Sequence, residues 1–367
     1  LGSATPDERS NHLSLRGDYR IVELKGRVAC HKPGEGVARG SLLEVGADAP
    51  MPQVHVVDLR DELHSGNTGL FSRHLLDALS RTLDAGEQAI LFLNRRGSAS
   101  AVVCRSCGYV MRCRRCDVAL TYHSSDGMLV CHHCNWRTPR PLRCPRCGDA
   151  RIRQFGAGTQ RVEAEARVRF PTARTLRWDR DTASQRNAHV RMWQALQSHS
   201  VDILIGTQMV AKGLDLPRVQ LVGIVNADTI LHLPDYRAVE RTFQMLVQVA
   251  GRAGRRGVPG EVVVQTYNPD HYCIRAAAAH DFAAFYGQES AFRQRMGYPP
   301  FSQLARLLYV ATNAEACRRE TARMHRQLET RLAHTPGARC RLIGPSPAFF
   351  EKVRGRHRWQ ILVSGDA

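Results

Sequence analysis

Lysine is nearly missing from this chain. Only Lys25, Lys32, Lys212 and Lys352 occur in 367 residues, although lysine and arginine together number 52. The basic excess, a formal net charge of +18, is therefore carried by arginine. Arginine presents a planar fork of donors that suits phosphates and stacks on bases. So large an excess favours a polyanionic partner, although GC-rich coding also enriches arginine. No run of 18 or more apolar residues exists, which excludes a membrane-spanning helix. Initiator methionine and signal-peptide pattern are both missing. The opening Leu1-Gly-Ser-Ala-Thr-Pro6 reads as the middle of a longer protein, and the strand-like end at 361–367 reads as a cut. A G-x-x-x-x-G-K-[ST] loop, which cradles nucleotide phosphates, is missing as well.

What is present is concentrated in residues 104–147. Cys104-x2-Cys107, Cys113-x2-Cys116, Cys131-x2-Cys134 and Cys144-x2-Cys147 supply eight thiolates, enough for two closed four-cysteine zinc sites. Gly108 and Gly148 each follow a pair, where a tight turn favours a residue tolerant of positive φ. The inner pairs enclose residues 117–130, fourteen in all, close to the zinc-ribbon spacing of about 15–20. A nested arrangement is therefore predicted, Cys104, Cys107, Cys144 and Cys147 at one zinc and Cys113, Cys116, Cys131 and Cys134 at the other. Sequential pairing is the alternative, and a redox or disulfide cluster the competing chemistry. His123, His132 and His133 are spare donors, expected to face solvent or nucleic acid. The scattered Cys30, Cys273, Cys317 and Cys340 suggest a reducing cytoplasm.

At this length the chain can hold two or three domains. Residues 1–60 show little periodicity, with short strands at 19–24 and 54–59. A helix pattern at 71–83 leads into the apolar strand 89–93 and then Asn94-Arg-Arg-Gly97. After the cysteines, helices at 159–170, 184–197 and 237–249 alternate with strands at 175–178, 201–205, 219–225 and 260–265. Such alternation predicts a parallel α/β domain. An alanine-rich helical stretch reaches about 295 and is broken by Tyr298-Pro-Pro-Phe301. A strand, a helix and two strands then suggest a small α+β domain.

Gln248-Val-Ala-Gly251-Arg252-Ala-Gly254-Arg255 places two arginines three apart, each preceded by glycine, at a helix end. Such arginines can reach one polyphosphate and stabilise a transferring γ-phosphoryl group; a solvated basic turn is the bland alternative. The string resembles the last motif of superfamily 2 helicases. Gly206-Thr-Gln-Met-Val-Ala-Lys-Gly-Leu-Asp215 resembles their motif V, Gly2-Ser-Ala-Thr-Pro6 their motif III, and Asn94-Arg-Arg-Gly97 stands where motif IV should end. With the cysteine module between these motifs, the whole chain resembles the replication-restart helicases of that superfamily.

The resemblance implies a RecA-like second helicase lobe, a parallel sheet with flanking helices, carrying an inserted two-zinc ribbon and a small α+β C-terminal domain. The implied division is 1–60, end of the first lobe and linker; 61–103 and 151–270, second lobe; 104–150, zinc insertion; 271–297, helical connector; 298–367, part of a C-terminal DNA-binding domain. It further implies an ATP-dependent 3′→5′ helicase that recognises stalled forks and starts primosome assembly. Arg255 would be the arginine finger, with Arg252 and Gln248 at the phosphates. Gly213, Asp215, Gly251 and Gly254 would shape the nucleotide site. Thr207, Gln208, Arg95, Arg96, Arg356 and Arg358 would contact DNA. Expected cofactors are two Zn²⁺, with ATP and Mg²⁺ in the full-length protein. Expected partners are forked and single-stranded DNA, single-strand binding protein and primosome assembly proteins. No membrane is expected, the protein being a monomer at the bacterial nucleoid. The phosphate loop and the D-E-x-H motif would precede Leu1, so the chain is read as lacking Walker A and Walker B. A non-catalytic fork-binding scaffold of the same family is the alternative, and a zinc-ribbon nucleic-acid-binding protein unrelated to helicases a third reading.

Overall fold

The structure, a computed structural model, describes residues 3–22, 51–93, 100–116, 118–123, 126–154, 158–179, 182, 188–207, 210, 218–254, 260–337 and 339–366. In chain order, α1 (Glu8–Leu15) is followed by β1 (Gln53–Asp58), α2 (Leu59–His64), α3 (Arg73–Asp84) and β2 (Gln88–Phe92). The cysteine module holds β3 (Ser100–Cys104), β4 (Thr121–His123), β5 (Met128–Val130), β6 (Arg137–Pro139) and β7 (Ile152–Gln154). Then come α4 (Thr159–Arg169), β8 (Thr175–Trp178), α5 (Ala188–Gln197), β9 (Ile203–Gly206), β10 (Val219–Ile224), α6 (Asp228–Leu231), α7 (Ala238–Ala250) and β11 (Glu261–Thr266). Last are α8 (Tyr272–Ala278), α9 (Phe282–Met296), β12 (Ser302–Ala311), α10 (Ala314–Ala333), β13 (Cys340–Val353) and β14 (Arg356–Asp366).

The main sheet is parallel throughout, in the order β1-β11-β10-β2-β9-β8. Strand β2 is buried at every position, because helices cover both faces of a parallel sheet and leave no polar side. Helix α3 starts at Ser72, whose side chain accepts from the Leu75 amide, and buries Leu75, Ala78, Leu79 and Thr82 at helical spacing. These pack with Leu91, Leu221 and Val263 on one face; Phe243, Leu246 and Val249 of α7 cover Ile90, Val222 and Val264 on the other. Each such leucine contributes about 1.5–3 kcal/mol by leaving water.

Two predicted boundaries shift. Strand β1 pairs with β11 from Gln53↔Glu261 to Asp58↔Thr266, so the lobe begins before residue 61. The module opens within β3 and closes with β7, which pairs Val102↔Gln154 to Cys104↔Ile152; it outruns 104–150 at both ends because these strands seal its base. Residues 19–22 form no strand, and the regular structure near the start is α1. The C-terminal domain is an antiparallel sheet, β12-β14-β13, packed with α10. Its last two strands reach toward a turn at Arg354-Gly355 and span much of 344–359, which the sequence did not read as strand.

A buried charge cluster docks α1. The Glu8 amide donates to Glu240 Oε1 (2.9 Å), Arg293 donates to Glu240 Oε2 (2.9 Å) and to Glu289 Oε1 (2.8 Å), and the Tyr272 hydroxyl donates to Glu289 Oε2 (2.6 Å). Two carboxylates thus share one guanidinium, with the Glu8 carboxyl buried beside them. Burial pushes Glu8 up to about 8 against the pull of Arg293, and neither of its carboxyl oxygens has a hydrogen-bond partner. Between the ordinary value of 4.5 and about 8, the native state keeps a proton that the unfolded chain has released. Stability therefore falls as pH rises through that window. Glu8→Gln is expected to flatten that part of the melting-temperature profile by up to one proton; an unchanged slope would show that Glu8 is ionised in place.

Candidate functional site

The structure brings the four C-x-x-C turns together in two sets, Cys104/Cys107/Cys144/Cys147 and Cys113/Cys116/Cys131/Cys134, with sulfurs in each set within 4.8 Å of one another. The pairing is nested rather than sequential. Sulfur–sulfur distances between turns include 3.6 Å for Cys104–Cys147, 3.7 Å for Cys107–Cys144 and 3.6 Å for Cys113–Cys134. Zinc–sulfur bonds of about 2.3 Å set tetrahedral neighbours about 3.8 Å apart, so both sets have the dimensions of a zinc site. Three turns end in a residue of positive φ: Gly108 at 71°, Asn135 at 58° and Gly148 at 72°. Sequence reasoning singled out the glycines and missed Asn135, although asparagine is the side chain best suited to that conformation after glycine. Burial pushes the Cys107 and Cys116 thiols up to about 12 and raises Cys131 too, while the Asp149 amide holds Cys147 below its ordinary value. Burial disfavours the charged thiolate; a bound dication reverses that and deprotonates the thiols outright. The donor set thus fits two zinc ions, each held by four thiolates from two turns.

The module is wedged between the lobe and the C-terminal domain. A Cβ on Gly108 would lie 2.4 Å from the Tyr267 carbonyl oxygen, and Arg105 Nε donates to the Tyr267 hydroxyl at 2.8 Å. On the far side, Asn135 Nδ2 donates to the Pro345 carbonyl (3.1 Å) and His132 Nδ1 lies 2.9 Å from the Pro347 carbonyl. His123 and His132 meet through Nε2 at 3.1 Å, and His123 Nδ1 lies 3.4 Å from Glu351 Oε2. The expectation that these histidines face solvent or nucleic acid is corrected. His123 and His132 are buried in the seam with the C-terminal domain, and His133 meets the Tyr298 ring edge-on. Desolvation drives His132 down to about 4. Nothing local in the sequence marks them, because the C-terminal groups that bury them, Pro347, Glu351 and Tyr298, stand more than 160 residues away.

Gln248 lies half-buried in the last turn of α7, followed by Gly251 and the half-buried Arg252. Gly254, at φ 67°, donates its amide to the Val219 carbonyl at the start of β10 (3.0 Å). A Cβ on Gly260 would lie 2.4 Å from the Gly254 nitrogen, so the turn is pressed onto the amino-terminal edge of the sheet. Thr207 instead follows the last residue of β9, at the opposite edge, where Gly206 pairs with Phe92 of β2. Gln248 and Arg252 on one side and Thr207 on the other are thus at two ends of one sheet. Arg356 is exposed beside the β13–β14 turn and Arg358, half-buried, pairs with Val310. Arg95, Arg96, Gln208, Gly213, Asp215 and Arg255 lie outside the described residues.

One string needs correction. Asp61-Glu62-Leu63-His64 does spell D-E-x-H, contrary to the expectation that no such string occurs. It lies on α2, where Leu63 is buried and Glu62 accepts from Asn67 Nδ2 at 2.6 Å and from the Arg73 amide at 3.2 Å. Glu62 thus ties the α2–α3 loop together.

A parallel helicase lobe carrying two four-cysteine clusters defines the class: a helicase C-terminal lobe with an inserted zinc ribbon. Family comparisons agree. Residues 160–257 match the helicase conserved C-terminal domain, 113–139 the PriA DNA helicase Cys-rich region, and 294–367 the primosomal protein N C-terminal domain. The chain belongs to the PriA family. It is 43% identical to the replication restart protein PriA of Bacillus subtilis over 99% of this chain and 42% of that protein. To the PriA of Synechocystis sp. it is 42% identical, over 99% and 42%. The chain therefore spans about two-fifths of the length of these relatives. Among solved structures, S. cerevisiae Dbp5 bound to RNA and ADP BeF3 overlaps 67% of this chain and 45% of its own, at 11% identity and a TM-score of 0.33. Among the described residues, no helix is long and apolar enough to cross a membrane.

Proposed function

We propose that the chain is the second lobe, zinc module and C-terminal domain of an ATP-driven 3′→5′ DNA helicase. The whole protein would recognise stalled or branched forks and start primosome assembly, with single-strand binding protein and primosome proteins as partners. The observation that carries this reading is the glycine-spaced Gln248–Gly254 turn on the same parallel lobe that holds the cysteine module. Gln248 and Arg252 would orient phosphates of a nucleotide held mainly by the first lobe, and Arg255 would meet charge developing at the γ-phosphate. Bound ATP with Mg²⁺ supplies the leaving group and its charge neutralisation. Thr207 at the opposite edge, with Arg356 and Arg358 on the C-terminal sheet, would track the DNA backbone. Two zincs would hold the module as a stiff bridge, so that lobe movement reaches the C-terminal domain.

The experiment is unwinding of a labelled fork by the full-length protein with ATP. Strand separation from a 3′ single-stranded arm is expected, and fork binding without hydrolysis would move the protein to the scaffold reading. This chain alone offers arginines but no phosphate loop. It is therefore expected to show no DNA-stimulated ATP turnover above background; robust turnover by the pure chain would mean that the nucleotide site has been misplaced.

A further inference from the structure

We propose that His55, His74 and Glu261 form a third divalent-metal site, of the zinc class, near the open edge of the parallel sheet. Register sets His55 of β1 opposite Val263 of β11, and Glu261 stands two residues before Val263. His55 and Glu261 therefore share one sheet face. Val263 packs with Leu75 and Ala78 of α3, so α3 lies over that face, and His74 in its first turn brings the third donor. The three ligand atoms lie within 4.8 Å of one another.

The orientation of His74 is the more telling observation. Its Nε2 lies 3.2 Å from Glu261 Oε1, yet that nitrogen is buried and makes no hydrogen bond. A contact so short, without alignment of donor and acceptor, is the relation of two ligands aimed at a common third point. Around tetrahedral zinc, nitrogen and oxygen ligands at about 2.0–2.2 Å sit about 3.3–3.5 Å from each other. The His55 and His74 rings, 4.8 Å apart and inclined at 51°, are tilted rather than stacked. Arg81 Nη2 donates to both Glu261 oxygens, at 3.2 and 2.9 Å. It holds the carboxylate still, as groups behind metal ligands do.

Imidazole and carboxylate donors suit zinc and its neighbours in the transition series. Three protein donors leave a fourth position for water, and all three residues are half-buried, so this ion exchanges where the four-cysteine zincs do not. Its effect is structural. Among the described residues β1 pairs only with β11, and an ion here ties β1, β11 and α3 together.

The test is equilibrium dialysis of the chain, with its cysteine zincs in place, against a low free Zn²⁺ concentration, followed by metal analysis. Wild type is expected to hold three equivalents; His74→Ala and Glu261→Gln are expected to hold two. Added Zn²⁺ should raise the melting temperature of wild type and of neither variant. If His74→Ala fails to fold, His55→Asn takes its place beside the near-isosteric Glu261→Gln. Two equivalents in wild type, or a third retained by either variant, would overturn the site.

Discussion

Replacing Arg255 with alanine in the full-length protein is expected to lower fork-stimulated ATP turnover by about 10³–10⁵, the measured worth of an arginine finger, with fork binding nearly unchanged. Arg255 closes the run Gly251-Arg252-Ala-Gly254-Arg255, directly after a turn that Gly254 and Gly260 press against the sheet edge. DNA contacts behave differently. They are spread over many of the chain's arginines, so losing one should weaken binding slightly and reduce its salt slope by about one. The measurement is steady-state ATPase on forked DNA beside a binding titration at fixed salt. Turnover within a few-fold of wild type would retire the finger assignment. Equal losses in both assays would assign Arg255 to DNA or to folding.

The second large effect concerns zinc. The chain is expected to hold two tightly bound Zn²⁺ through thiolates, and Cys131→Ala to lose one of them. Structural zinc in such modules supplies about 10–16 kcal/mol that becomes folding free energy. Cys131 belongs to the module core with Leu120 and Leu129, and its turn carries His132 and Asn135, the two contacts to the Pro345–Pro347 backbone. Losing this site should therefore melt the ribbon and free the C-terminal domain together, while the parallel lobe stays folded. Limited proteolysis with metal analysis reads both. Both thiolate-bound zincs retained by the variant, or fewer than two thiolate-bound zincs in reduced wild type, would refute the assignment.

Legibility followed range along the chain. The thiolate donors, the helix over 71–83 and the apolar strand at 89–93 are patterns within one turn or one strand, and structure and spacing agree there. Positive φ at Gly108 and Gly148 was equally local. Asn135 obeys the same local rule, and the D-E-x-H string at 61–64 is equally plain in the sequence. Its short helix, with Glu62 bound to Asn67 and Arg73, shows why a four-residue string needs its surroundings before it carries chemistry.

By itself, then, the sequence determined donor types, element periods and the order of motifs, because covalent spacing and helix or strand period are enforced by neighbours along the chain. Only the tertiary structure decided which cysteine turns pair and that β1 closes the lobe sheet beside β11. It also decided that His123 and His132 are sealed in a domain seam, and that the Glu8 amide docks on Glu240, which shares Arg293 with Glu289. Each of these joins groups distant in sequence. Their energies come from desolvation and from partners supplied by other elements, and no local spacing encodes which distant surface will arrive.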